Sequence, residues 1–149
     1  MNSRTLGLAL VVTGIVCACN TTKKECDKLI PVVHHHIDPT PRCSVPGPRT
    51  SDEAEVSAGL LQEVVIDEDA AAAAVAAVDV SKSVFVAARD RAAKALRDES
   101  ASATRQLAAL RNFKPDGISN AWAGAPQDCL DADRDLKAAE ESIEHACGY

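Results

Sequence analysis

The chain has 149 residues, with 22 acidic against 16 basic side chains for a net charge of -6, and only 3% of it is aromatic. That balance excludes nucleic acid and anionic lipid headgroups as partners held by charge, because both need clustered positive side chains. With 27 alanines and no run of alternating β-branched and polar residues, the composition points to one small all-α domain. Its core is thin for its length, so covalent staples are expected.

Residues 1–18 carry a single charge, Arg4, followed by an apolar run from Leu6 to Ala18. At about 13 residues the run is short of the roughly 20 a membrane-spanning helix needs, and it reads as a secretory signal. It ends Val16-Cys17-Ala18-Cys19. This resembles the lipobox of bacterial lipoproteins, in which an aliphatic residue and two small ones precede the cysteine that becomes the new N-terminus. The resemblance spans residues 16–19, and Cys17 stands where that motif usually has Ala or Ser.

The resemblance implies removal of residues 1–18, a diacylglyceryl group on the Cys19 sulfur, and attachment to a bacterial membrane through acyl chains such as palmitate. Asn20 after the cysteine favours the outer membrane by the same analogy. Two or three chains hold firmly, because each buried methylene contributes about 0.8 kcal/mol. The alternative is cleavage after Ala18 with no lipid attached. The expected organisation is a signal peptide at 1–18, a lipid-bearing tether at 19–24 and a helical domain at 25–149.

The first helix of that domain is expected over residues 22–38, with Cys26, Leu29, Ile30, Val33 and Ile37 on one face. Pro31 falls on the opposite face, where it bends the helix or marks a fresh start. Pro39 and Pro41 end the helix, which leaves Cys43 in the loop from Pro39 to Pro48. Thr50-Ser51-Asp52-Glu53 has the spacing of a capping box and opens the next helix.

From Leu60 to Lys114 there is neither glycine nor proline. An unbroken helix over 51–113 would exceed about 90 Å, too long for so small a domain, so it must fold back. Polar interruptions occur at Asp67–Asp69, Asp79–Ser83 and Asp98–Thr104. A break at Asp79–Ser83 gives helices over 51–78 and 83–112. Lys114-Pro115-Asp116-Gly117 is a turn signal, and the loop from there to Ala125 carries Trp122, either a plug over the end of the bundle or an exposed anchor for a partner.

The last helix is expected over 126–147. Pro126 suits its first position, Asp128 its first turn, and Gly148 its end. Cys129, Ala132, Leu136, Ala139, Ile143 and Ala146 form one narrow seam. The four helices make an Ala-rich up-and-down bundle.

With Cys17 removed and Cys19 lipidated, Cys26, Cys43, Cys129 and Cys147 remain, an even number suited to an oxidising compartment. Cys129 and Cys147 lie five helical turns apart, about 27 Å, and cannot bond to each other. If the first and last helices are antiparallel, Cys26 meets Cys147 and Cys43 meets Cys129, which is the expected pairing. A parallel arrangement would join Cys26 to Cys129 and Cys43 to Cys147.

Candidate chemistry centres on His34, His35, His36 and Asp38. On a helix, consecutive side chains diverge by 100°, so only His34 and Asp38, at i and i+4, could share a metal, and two ligands do not close a site. His145 lies near Cys26 and Asp27 under the antiparallel pairing, away from His34. The seven carboxylates between Asp128 and Glu144 are spread over the polar arc of the last helix with Arg134 and Lys137 among them, the pattern of a solvated face. Residues Ala70 to Val78 are too short and too weakly apolar to enter a membrane. No EF-hand spacing, P-loop, HExxH, GxSxG or CxxC occurs.

No cofactor and no catalytic residue is therefore expected. The leading expectation is a noncatalytic envelope module tethered by Cys19, whose helical surface binds another envelope protein. One alternative is a metal-handling protein or enzyme using His34, His36 and Asp38. Another is an inhibitor: Asp128-Cys129-Leu130 is similar to a cysteine segment of plant inhibitors of cell-wall enzymes, which are small four-helix bundles with two disulfides. That likeness covers three residues, and the N-terminal cysteine spacing differs.

Overall fold

The fold was analysed in a computed structural model that describes residues 21–37, 42–114 and 120–149, and the side chains of all of these except 120–125. Cys19, Asp38 and the turn at Pro115 to Gly117 lie outside the described residues. The regular structure is four helices: α1 over residues 21–34, α2 over Ser51–Ala76, α3 over Ser83–Leu110 and α4 over Asn120–Cys147. Among the described residues there is no β-strand.

α3 packs along both α2 and α4, which stay apart from each other, so α2 and α4 occupy opposite corners of the bundle. α1 is tied to α4 by the disulfide Cys26–Cys147, with Cα atoms 6.0 Å apart. Cys43–Cys129, 5.8 Å between Cα atoms, ties the segment after α1 to the first half of α4. The antiparallel pairing expected from the cysteine spacing is the one present.

The core has two parts. At the Cys26–Cys147 end, Leu29 and Val33 of α1, Val75 of α2, Phe85 and Leu96 of α3, and Leu136 and Ile143 of α4 are fully buried. Around them lie Ala71, Ala72, Ala88, Ala92, Ala93, Ala95 and Ala139. Alanine at so many contacts lets helix axes approach toward the short end of the usual range, about 8 Å. At the other end Leu61, Val64, Ala103 and Leu110 pack with the Cys43–Cys129 bridge.

The turn after α2 falls at residues 77–82, as the polar interruption at Asp79–Ser83 predicts. Thr50 caps α2: its hydroxyl accepts from the Glu53 amide at 3.2 Å. The Glu53 carboxylate accepts in turn from the amide of Arg49 at 2.6 Å, one residue earlier than in the standard box.

Two boundaries differ from expectation. α1 ends at residue 34 rather than 38, in a tight turn with bonds from His36 N to Val33 O and Ile37 N to His34 O. Past residue 34 the chain turns so that His35 and His36 line a cleft against α2 instead of continuing the helix. α1 runs through Pro31, which is exposed and leaves only the Asp27 carbonyl without its helical donor.

α4 begins at Asn120, six residues before the expected start, with Pro126 inside it. Trp122 therefore belongs to its first turn and not to a loop, although the Trp122 side chain lies outside the described residues. Pro126 removes only the bond to the carbonyl of residue 122, a loss the first turns of a helix tolerate better than its middle.

The N-terminus of α3 has no cap from its own sequence, since Lys82 at that position makes no side-chain capping bond. Glu25 of α1 supplies it. One Glu25 carboxylate oxygen accepts from Ser81 N at 2.7 Å, Ser81 Oγ at 2.5 Å and Lys82 N at 3.3 Å. Lys28 adds a bond to the carbonyl of Asp79 at 3.0 Å, and Arg89 one to the carbonyl of Val78 at 3.2 Å, so the turn is pinned from two sides.

Burial pushes the Glu25 carboxyl up, but the bonds from Ser81 and Lys82 and the Lys82 charge outweigh it, and the group titrates below the ordinary glutamate value of 4.5. A depressed carboxyl stabilises the fold fully above the unfolded-state value and loses that contribution as pH falls through the folded one. Glu25→Gln should cost about 1–3 kcal/mol at neutral pH, the usual loss for a buried charge-assisted bond. Urea unfolding at pH 7 and near pH 3 checks this: the gap between variant and parent narrows in acid, and a gap that stays constant would refute the assignment.

Candidate functional site

The end of α1 carries the histidines, and the structure sends them to different sides of the bundle. His34 Nδ1 lies 2.5 Å from Glu140 Oε1 of α4, with the imidazole largely exposed and the carboxylate largely covered. The bond to Glu140, then its charge, and the charge of Glu144 hold the His34 imidazole above the ordinary histidine value of 6.5, against a small opposing effect of burial. His35 and His36 instead line a cleft against α2, their rings edge to face with centroids 5.2 Å apart.

That cleft, about 460 Å³, is walled by Arg42, Asp67, Glu68 and the alanines Ala70, Ala71 and Ala74. Arg42 donates to Asp67 Oδ2 at 2.8 Å, and its other terminal nitrogen lies 3.9 Å from buried Glu68. The guanidinium is thereby balanced by two carboxylates, and no lone positive charge is left to draw in an anion. The imidazoles of His34 and His36 do not converge, and among the described residues no group of three or more His, Cys, Asp or Glu is placed to hold a metal ion. Asp38, the other residue considered for a metal, lies outside the described residues, as does Cys19.

No protein-family model, curated protein or solved structure matches the chain.

The surface feature that sequence reasoning missed is on α2. Its buried residues, Ala54, Leu61, Val64, Glu68, Ala71, Ala72 and Val75, occupy one side. Val56, Leu60 and Ile66 are exposed by 65%, 51% and 61%, half of the exposed large apolar side chains among the described residues. Val56, Gly59, Glu63, Ile66, Ala70, Ala73 and Ala77 follow one another at steps of three and four, all exposed, on the side facing away from the core. A side chain added at Gly59 would meet nothing within 4 Å.

α2 thus has a second apolar seam where a surface helix ordinarily has a polar face. It also carries seven acids and no Lys or Arg. The signal was present in the sequence as apolar residues on both sides of one helix, but which side faces the core is a tertiary matter.

Elsewhere the surface is held by paired charges. Arg91 bonds Asp135 and Arg105 bonds Asp128 between α3 and α4, each at 2.7 Å. Lys137 bonds Asp133 at 2.7 Å within α4. Exposed pairs such as the first two contribute little to stability, and of the α4 carboxylates Asp133 and Glu140 are largely covered and not part of a solvated face.

Proposed function

We propose that the protein is a noncatalytic, lipid-anchored module of a bacterial cell envelope, tethered through acyl chains on Cys19 and built to bind another envelope protein. The observation that carries the reading is the allocation of cysteines. Cys26, Cys43, Cys129 and Cys147 are consumed in two disulfides, which belong to an oxidising compartment. Of the remaining two, Cys19 ends a segment with the length and composition of an export signal and stands at the lipid-bearing position of the motif it resembles.

Cys19 precedes Cys26 by seven residues, which span at most about 25 Å, so acyl chains on Cys19 would emerge near the Cys26–Cys147 end of the bundle. No helix among the described residues is long and apolar enough to cross a membrane, so acyl chains are the anchor this reading requires.

Non-reducing peptide mass mapping of the protein extracted from its native membrane tests the reading. The expected N-terminal peptide begins at Cys19 and carries diacylglyceryl, and Cys19→Ser moves the protein out of the membrane fraction. An unacylated N-terminus on protein that stays membrane-bound, or a soluble parent protein, would overturn it.

A further inference from the structure

We infer that the outward face of α2 is the docking surface, and that its partner is a cationic amphipathic helix, with Lys or Arg flanking an apolar seam, that lies along Val56, Leu60 and Ile66. The inference deepens the module reading above and rests on it only for the statement that the partner is an envelope protein.

The apolar side chains give the first half of the argument. Val56 and Leu60 stand one turn apart and Ile66 less than two turns further on, all more than half exposed. From there the seam continues in Ala70, Ala73 and Ala77, whose small side chains permit a close approach of a second helix axis. A helix apolar on both sides is one that is covered on both sides, and among the described residues the rest of the bundle covers only the inner one.

Charge decides what covers the other. Glu63 lies in the seam, with Asp52 within its width and Glu55 and Asp69 toward one edge, and α2 has no positive side chain to pair with them, while Asp67 is already paired with Arg42. A second copy laid along the same face would set acids against acids: in the antiparallel register centred on Ile66, Glu63 falls opposite Asp69. Like charges so placed repel, which removes the self-complementary dimer. A membrane surface with anionic headgroups is disfavoured for the same reason. A helix with basic flanks meets both requirements at once, burying the seam and pairing the acids.

The test uses the oxidised full-length chain as isolated, in micelles where it is acylated, and three synthetic helices. One has leucine at the heptad core positions and lysine on the flanks, one has the same core with glutamate flanks, and one is the lysine peptide with its order scrambled. Only the first should bind, shifting the amide NMR signals of α2 around Val56, Leu60 and Ile66. Ile66→Lys and Val56→Lys, both at exposed positions that leave the core intact, should each weaken that binding at least about tenfold.

Equal binding of the scrambled or glutamate peptide, shifts confined to another surface, or full affinity in Ile66→Lys would overturn the inference. So would self-association abolished by Ile66→Lys, which identifies a second copy as the occupant, or the same shifts with phospholipid vesicles alone. The peptide reads α2 whether or not Cys19 is acylated, so a failed anchor and a failed docking surface give different results.

Discussion

Replacing Cys43 and Cys129 together by alanine is expected to lower the melting temperature by about 10 to 20 °C, the shift that about 4 to 5 kcal/mol produces in a domain of this size. Cys43–Cys129 closes a loop with a sequence separation of 86, and Cys26–Cys147 one of 121. Loop-closure entropy grows only with the logarithm of length, so the two bridges constrain the unfolded chain almost equally.

Their folded-state roles differ. α1 is also held by Leu29 and Val33 in the core and by the Glu25 cap, whereas the segment carrying Cys43 has no helix of its own. Apart from the bridge, its anchors include the bond from Gln106 to the Cys43 carbonyl at 2.6 Å and the pair of Arg42 with Asp67.

Without the bridge, that segment should lift from Leu61, Val64, Ala103 and Leu110, and amide exchange at those positions should speed up well before global unfolding. Melting followed by circular dichroism and exchange followed by mass spectrometry check the two parts. A variant that melts within about 2 °C of the parent would show that packing alone holds the segment.

The second large effect is at Phe85. It is fully buried at the start of α3 and is the bulkiest of the fully buried side chains among the described residues, in a core otherwise filled largely by alanine. Truncating a buried phenylalanine removes its transfer energy and leaves a cavity, and alanine-lined helices already in close contact have little room to collapse into it. Phe85→Ala is expected to cost about 3–5 kcal/mol in urea unfolding, and Phe85→Leu clearly less. Val84, the preceding residue, is 45% exposed, and Val84→Ala should stay within about 0.5 kcal/mol. Equal losses at 84 and 85 would contradict the packing described here.

The candidate site was only partly legible from the sequence. Helical geometry predicts that all three histidines diverge; His34 does face α4 alone, but His35 and His36 lie past the last helical residue and share one cleft against α2, with ring centroids 5.2 Å apart. Glu140 as the partner of His34 was not legible, because the two are separated by 106 residues and nothing local marks the pair. Glu25 is a similar case: on the sequence it is one acid among polar neighbours, and only the approach of α1 to residues 81 and 82 makes it a cap.

The amino-acid sequence by itself determined the helical class, offered the break near Asp79 among three polar interruptions, and narrowed the cysteines to two connectivities, between which the antiparallel orientation of α1 and α4 chooses. Each is set by short-range periodicity: alanine and leucine propensity, a polar interruption in a long apolar run, and cysteines spaced by whole turns on two helices. The tertiary structure alone decided where α1 stops, how far α4 extends before Pro126, which acid caps α3, and which of the two apolar sides of α2 is left facing outward. Those depend on contacts between different segments, whose free energies local patterns do not carry, and a helix with apolar residues on both sides stays ambiguous until its neighbours are in place.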